Sequence, residues 1–94
     1  VDTGLPAQHL NVLKKTIHRT PGVRALHQLR TRSMAGAILI DVHILVDPNI
    51  TVSEGHFISE RVHFNLLATG LVKDVVVHVD PEDDLINHHA FFTQ

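Results

Sequence analysis

Hydrophobic and polar residues alternate most strictly between positions 38 and 46, which predicts a β-strand. Every second residue of this stretch is apolar and β-branched, while Asp41 and His43 lie among leucines on the other positions. Such period-two alternation is typical of a strand with one face buried against another layer and a mixed second face. The turn residues Asp47-Pro48-Asn49 end the strand.

Two other stretches carry apolar residues at helical spacing. In the first, an apolar stripe from Leu10 to Ile17 predicts a helix over 6–20, ended by a Pro-Gly pair. The second opens with a capping-box pattern, in which Thr51 is the N-cap and Glu54 the third helical residue. This helix is predicted to end near the glycine that follows Thr69.

Less regular alternation predicts strands over 23–32 and 71–80, so the element order is helix, strand, strand, helix, strand. The first two strands can pair as an antiparallel hairpin, and a right-handed crossover makes the third strand parallel to the second. Both helices must then cover the all-aliphatic face of the central strand. The predicted fold class is α+β, in the order α-β-β-α-β, a three-stranded mixed sheet with two helices on one face and the opposite face open.

Composition narrows the function classes. The chain has 94 residues, 44% of them hydrophobic, which suffices for one packed core. Eight Lys and Arg against ten Asp and Glu give a net charge of −2, which argues against nucleic-acid binding by phosphate neutralisation. No cysteine is present, so disulfides and thiolate metal sites are excluded. The unusual count is nine histidines, which indicates response to metal or pH, or surface histidines without a role.

Several histidines fall on the predicted open face. His43 lies on the central strand, and His78 and Asp80 lie on the same face of its parallel neighbour. His27 on the first strand can reach this side as well, so three strands bring imidazole and carboxylate groups together. Zn²⁺ and other divalent transition metals accept these ligands. The alternative is that each is a solvated or hydrogen-bonded side chain without a metal.

The other histidines have plainer interpretations. His56, early in the second helix, is a surface residue unless a second copy of the chain packs nearby. His9, His18 and His63 lie on helices away from the apolar stripes and are predicted to face solvent. The pair His88-His89 is predicted to belong to a mobile terminal segment, with weak metal chelation as the alternative.

Five short motifs follow one another along the chain: Pro21-Gly22-Val23, His27-Gln28-Leu29-Arg30-Thr31-Arg32, Asp41-Val42-His43, Ser53-Glu54-Gly55-His56 and Val77-His78-Val79-Asp80-Pro81. Together they closely resemble the cytoplasmic C-terminal domain of the cation diffusion facilitator (CDF) transporters, of the bacterial zinc- and iron-efflux type. The resemblance covers about residues 1–81, which predicts a regulatory metal-binding domain over 1–81 and a flexible tail over 82–94. Because the chain starts without methionine, we expect it to be a piece of a longer protein.

The resemblance implies a metallochaperone-like or ferredoxin-like fold and a V-shaped cytoplasmic homodimer. In the family, divalent metal binds where the two protomers meet and changes the angle between them. By position, His27, His43 and Asp80 match the ligands of one metal. His78 and the bridging Asp80 match ligands of a second metal, which His56 completes, in some members from the other protomer.

We therefore predict the cytosolic regulatory and dimerisation domain of a divalent-metal efflux transporter, not an enzyme, which metal switches from open to closed to activate transport. Without metal, Asp41 and Asp80 are expected to make the two faces repel each other. Zn²⁺ is the expected metal, with Fe²⁺, Mn²⁺, Co²⁺, Ni²⁺ or Cd²⁺ as other ions for these donors. The expected partners are a second copy of the chain and its own transmembrane domain in a bacterial inner membrane, with no nucleic acid.

Two alternatives stay open at this point. The first is a dimerisation module with a weak or vestigial metal site. The second is a free-standing ferredoxin-like domain that binds a small regulatory molecule. Arg30 and Arg32 also have two interpretations, a hinge or dimer salt bridge and a solvated strand face.

Overall fold

The computed structural model describes residues 4–82 of the chain. Its helices and strands follow one another in the predicted order. The elements are α1 (Ala7–Arg19), β1 (Ala25–Met34), β2 (Ala37–Val46), α2 (Val52–Ala68) and β3 (Asp74–Pro81). Among the described residues, neither helix combines the length and the apolar character that a membrane span requires.

The strands form one mixed sheet in the order β1-β2-β3, so β2 is central. β1 pairs antiparallel with β2, and β2 pairs parallel with β3. The hairpin turn between β1 and β2 consists of Ala35 and Gly36, with φ angles of 51° and 83°. Two consecutive residues with positive φ make a tight turn whose twist matches that of the flanking strands. The predicted topology is confirmed.

One face of the sheet packs against both helices. The core consists of Leu13, Ile17, Ile40, Val42, Ile44, Val46, Ile58, Val62, Leu66, Val72 and Val75. All the buried β2 residues are the β-branched members of the alternating pattern, as predicted. Because side chains alternate along a strand, Asp41 and His43 must lie on the face away from the helices.

β1 departs from regular alternation at one point. The register shifts between Leu26 and Gln28, and Gln28 pairs with His43, so His27 is the extra residue of a β-bulge. In a bulge, two residues of one strand lie opposite a single residue of its partner. The bulge explains why Leu26 and Leu29 both pack against the core although three positions separate them.

β3 begins at Asp74, later than the predicted position 71. The apolar residue Val72 is buried in the core, but it reaches the core from a loop. The following Lys73 N–H donates to the Ile38 carbonyl at 2.7 Å, and the Asp74 carboxylate accepts the N–H of Val75 at 2.9 Å. The apolar pattern here therefore reports burial rather than strand conformation.

α2 begins with the predicted capping box. The Glu54 carboxylate accepts the backbone N–H of Thr51 at 2.9 Å, and the Thr51 hydroxyl accepts the backbone N–H of Glu54 at 3.0 Å. The hydrogen bond from the Thr51 backbone, helped by its side chain, lowers the pKa of Glu54 below its usual value. The box fixes where the helix starts, and with it the position of His56 in the second turn.

Gly22, in the loop after α1, is a position where a side chain should be costly. Its φ is +95°, and a Cβ there would lie 2.6 Å from Cδ1 of Ile58. We expect Gly22→Ala to lower the free energy of unfolding by about 1–3 kcal/mol, because left-handed backbone and overpacking against α2 both penalise it. Urea titration measures this loss. Gly36→Ala is the matched control, since Gly36 also has positive φ but nothing within 4 Å; equal losses would show that the contact with Ile58 is irrelevant.

Candidate metal centre

Three of the predicted ligands lie together on the open face of the sheet. His43 on β2 and His78 on β3 are direct partners in the parallel register. Nδ1 of His43 lies 3.6 Å from Oδ2 of Asp80, and both side chains are partly exposed. Because the strand pairing fixes the backbone of all three residues, an ion arriving from solvent meets donors that are already close together.

The distance between His43 and Asp80 suits a divalent metal. Zn²⁺ holds nitrogen and oxygen ligands at about 2.0–2.2 Å in a tetrahedron, which places neighbouring donor atoms about 3.3 Å apart. The observed separation of 3.6 Å is near this value. A small side-chain rotation would therefore make the pair two corners of a zinc site.

His78 is stacked on His43 and does not converge on the same point. The ring centroids are 4.3 Å apart and the rings are inclined by 8°. An imidazole binds metal through a nitrogen lone pair, which lies in the plane of the ring. Two stacked rings hold their lone pairs in separate, nearly parallel planes. In this arrangement His43 and His78 are suited to two different ions.

The β-bulge in β1 lies next to His43 in the sheet. His27 and Gln28 together lie opposite His43, with His27 exposed and Gln28 half-buried. Regular alternation from Gln28 would have put His27 on the helix-facing side, so the extra residue is what allows its predicted approach to His43. Gln28, the register partner of His43, was not predicted to lie beside the site. The unequal spacing of Leu26 and Leu29 was the signal available in the sequence.

Charge on the open face is more balanced than the sequence suggested. The Arg32 guanidinium lies 3.5 Å from the Asp41 carboxylate, and Arg30 is the register partner of Asp41. Part of the negative charge that Asp41 is expected to add to the metal-free face is therefore offset by an arginine of the same chain. Arg32 thus forms an ion pair within its own chain, while its side chain stays 58% exposed.

His56 lies apart from the other predicted ligands. It belongs to α2, which covers the opposite side of the sheet, and its Nε2 lies 3.1 Å from Oε1 of Glu60. Its side chain is 71% exposed. The fold does not bring His56 to the open face of its own sheet, but it leaves the imidazole accessible to a second copy of the chain.

The part of the chain that the structure describes does not assemble a complete metal site on its own. Within residues 4–82, no group of three histidine, aspartate or glutamate side chains is arranged to hold a metal ion. His43 and Asp80 provide two donors at suitable spacing, with His27 and His78 beside them. Four-coordination would therefore need side-chain rotation, water, or donors from a second copy.

The remaining histidines divide into three cases. His9 and His18 are exposed on α1, as predicted. His63 is half-buried, and its Nε2 lies 3.9 Å from Oδ1 of Asp74, so it faces β3 rather than solvent alone. His88 and His89 lie outside the described residues.

Comparison with known proteins gives a consistent match. The family described as cation efflux protein, cytoplasmic domain, matches residues 5–82. Metal tolerance protein C1 of Arabidopsis thaliana is 39% identical over 82 residues, covering 86% of this chain and 17% of that protein. The cation-efflux pump FieF of Cronobacter sakazakii (strain ATCC BAA-894) is 31% identical over 81 residues, covering 86% of this chain and 27% of the pump. The chain thus spans less than a third of the length of either relative.

Solved structures share the fold. A variant of the MamM CTD superimposes with a TM-score of 0.75 at 29% identity, covering 80% of this chain and 95% of that one. A nickel form of another MamM CTD variant gives a TM-score of 0.76 at 28% identity, covering 82% and 99% of the two chains. The predicted fold and family are both confirmed. With nearly all its described residues inside the family match, this chain belongs to the cation efflux (cation diffusion facilitator) family, as a cytoplasmic domain of that family.

Proposed function

We propose that this domain forms a homodimer, binds divalent metal on the open faces of its sheets, and changes the angle between the two copies on binding. The observation that carries the proposal is the pair of donor atoms on β2 and β3, His43 Nδ1 and Asp80 Oδ2, 3.6 Å apart. In the transporter that contains such a domain, this movement would activate efflux. Transport itself would belong to a transmembrane domain, which this chain would join at the cytoplasmic side of a bacterial inner membrane.

The donors divide between two ions. His27, His43 and Asp80 would hold the first, and the bulge that leaves His27 opposite His43 supports this grouping. His78 and Asp80 would begin the second, as the stacking of His78 on His43 favours separate ions. His56 of another copy would complete the second site, which is consistent with the exposure of that imidazole. Bound metal would supply positive charge and bonds that join the two copies.

The energetic case rests on bonds shared between protomers. A ligand shifts a conformational equilibrium only by its difference in affinity for the two states. Moving a population from 1:99 to 99:1 takes about 5.5 kcal/mol, whereas an exposed salt bridge contributes up to about 1 kcal/mol. Metal bonds made only in the closed dimer can reach that value. Charge repulsion in the open dimer contributes less, because Arg32 already pairs with Asp41.

The donor set favours Zn²⁺ as the metal. Imidazole and carboxylate suit Zn²⁺ and, less tightly, Fe²⁺ or Mn²⁺, while the absence of thiolate disfavours Cu(I). Nickel forms exist for MamM CTD variants, which makes Ni²⁺ a useful second probe for this chain.

Calorimetric titration of chelator-stripped protein with Zn²⁺, combined with small-angle X-ray scattering of the same samples, tests the proposal. We expect saturable binding and a smaller radius of gyration for the zinc-loaded dimer. Saturable binding without a change in the radius of gyration would support the metal site but would rule out the conformational switch. Absence of saturable binding would remove both.

A dimerisation module without a working metal site is the second candidate. It is favoured by the apolar residues Met34 and Val76, which are exposed on β1 and β3 and lie on the open-face side of the register. Such a face can hold a dimer by hydrophobic contact alone. This candidate predicts a dimer whose geometry is the same in zinc and in chelator.

Zinc affinity should depend on pH. Ligation requires neutral imidazole, so protons compete with metal for the same nitrogen. Affinity should be constant in mildly alkaline buffer and fall as the pH drops through the ordinary histidine range near ~6.5. Titrations at several pH values, in a buffer that does not bind zinc, measure this dependence. A constant affinity from mildly acidic to mildly alkaline pH would argue against histidine ligands.

A further inference from the structure

An open groove lies between the start of α2 and the end of β3, away from the proposed ligands of the sheet face. We call it the α2–β3 groove. Its lining is mainly apolar and includes Val46, Ile50, Val52, His56, Val79 and Pro81. Val52 is 91% exposed, which is unusual for a β-branched residue in the first turn of a helix. Such an apolar groove is a surface that another segment can cover.

The chain leaves the described fold at this groove. Pro81, the last residue of β3, is part of the lining. The next residue, Glu82, is held in place, because its N–H donates to the Val46 carbonyl at 2.7 Å. Its carboxylate also lies 3.2 Å from the guanidinium of Arg24, which pairs with Asp47 as well. The chain therefore reaches Glu82, its last described residue, beside the groove.

The sequence after Glu82 contains apolar residues that could pack in this groove. After two aspartates come Leu85-Ile86, and further on Phe91-Phe92, which are half of the four phenylalanines in the chain. An extended chain advances at most about 3.3–3.6 Å per residue, so Leu85 stands within about 11 Å of Glu82. This distance allows the aliphatic pair to turn back into a groove that begins at Pro81.

We propose that the segment Leu85–Phe92 docks in the α2–β3 groove of its own chain, with Leu85 and Ile86 against Val52, Val79 and Pro81. A segment that is covalently attached next to its site has a high effective concentration there, which favours it over a segment from another molecule. Because His56 lines the same groove, the docked segment would also cover one of the proposed ligands. The docking itself does not rest on the metal-binding proposal.

Paramagnetic relaxation enhancement in the metal-free, 94-residue protein tests the docking. The chain has no cysteine, so Ala90→Cys provides a single attachment point for a spin label. We expect the amide signals of Val52, His56 and Val79 to be much weaker than in the same sample after the spin label has been reduced. Signals near the β1–β2 turn, such as that of Gly36, should keep theirs.

Two variants of the labelled protein separate docking from random approach. Leu85→Asp with Ile86→Asp should restore the groove signals, because the apolar side chains are gone. Asn87→Asp with Thr93→Asp adds the same charge and should leave the broadening unchanged. Broadening that is absent, or that survives the first pair of substitutions, would overturn the proposal.

A mixing experiment identifies the source of the segment. Spin-labelled protein at natural isotope abundance is mixed with ¹⁵N-enriched protein that carries no spin label. We expect no broadening of the groove signals in this mixture. Broadening there would overturn docking within one chain and assign the groove to the segment of a second copy.

Discussion

His43→Ala should lower the zinc affinity of the domain by at least about 10- to 100-fold, the loss already typical when a residue that merely supports a metal ligand is removed. His43 contacts two of the other predicted ligands of the open face. It lies 3.6 Å from the Asp80 carboxylate and its ring stacks on His78 at 4.3 Å. Removing it takes one of the three ligands from the proposed first site and leaves only His27 and Asp80 there. Calorimetric titration with Zn²⁺ measures the loss directly.

The substitution of His43 should have little effect on folding. The side chain lies on the open face and takes part in cross-strand pairs with Gln28 and His78, each of which contributes about 1 kcal/mol at most. His18→Ala is the matched control, since it removes an exposed imidazole from α1, far from the sheet's open face. If both variants bound zinc equally well, the metal would sit on scattered histidines and the proposed site would be wrong.

The substitution Asp80→Asn tests the second donor of the same site while keeping the size and shape of its side chain. The amide keeps the size of the carboxylate but loses its charge and one acceptor oxygen. Because Asp80 and His43 belong to one site, the double variant should lose much less affinity than the sum of the two single losses. Full additivity would mean that the two residues bind zinc independently.

The sequence was sufficient to predict the fold, for a physical reason visible in β2. Its buried residues are all β-branched and alternate without a break, so the strand, its buried face and the covering helices follow from one pattern. The limits of β3 were less predictable, because Val72 contributes to the core from a loop. Periodicity records which side chains are buried, and burial does not require strand conformation.

The site was predictable only in part. His43, His78 and Asp80 could be placed together because parallel pairing and alternation suffice to put them on one face. The proposed contribution of His27 depends on a bulge, whose signal in the apolar pattern is limited to the three-residue spacing of Leu26 and Leu29. The pairing of Arg32 with Asp41 depends on the antiparallel register, which no local pattern fixes. The alternation of residues along a strand predicts which face of the sheet each side chain lies on. Contacts between strands can be predicted only when the pairing register is known.

Ile44→Ala should lower the free energy of unfolding by about 2–5 kcal/mol, the usual cost of emptying a well-packed aliphatic position. Ile44 follows His43 on β2 but points into the core, where it is fully buried. Small domains are stable by about 5–15 kcal/mol, so this one substitution removes a large share of the total. Urea unfolding of the metal-free protein measures it, and Ile44→Val, with an expected loss of about 0.5–1.5 kcal/mol, provides a milder variant that stays folded.

The effect of zinc on these core variants separates the two faces of one strand. The donors of the open face remain in place when Ile44 is shortened, so a zinc concentration of 100 times Kd should stabilise Ile44→Val and the wild type alike, by about 2.7 kcal/mol. His43→Ala should show the reverse, with nearly normal stability without metal and little gain on adding zinc. If Ile44→Val lost the zinc effect, packing on the helix side would control donor spacing on the open side. In that case His43 and Ile44 would not have separate roles, the first in metal binding and the second in the stability of the fold.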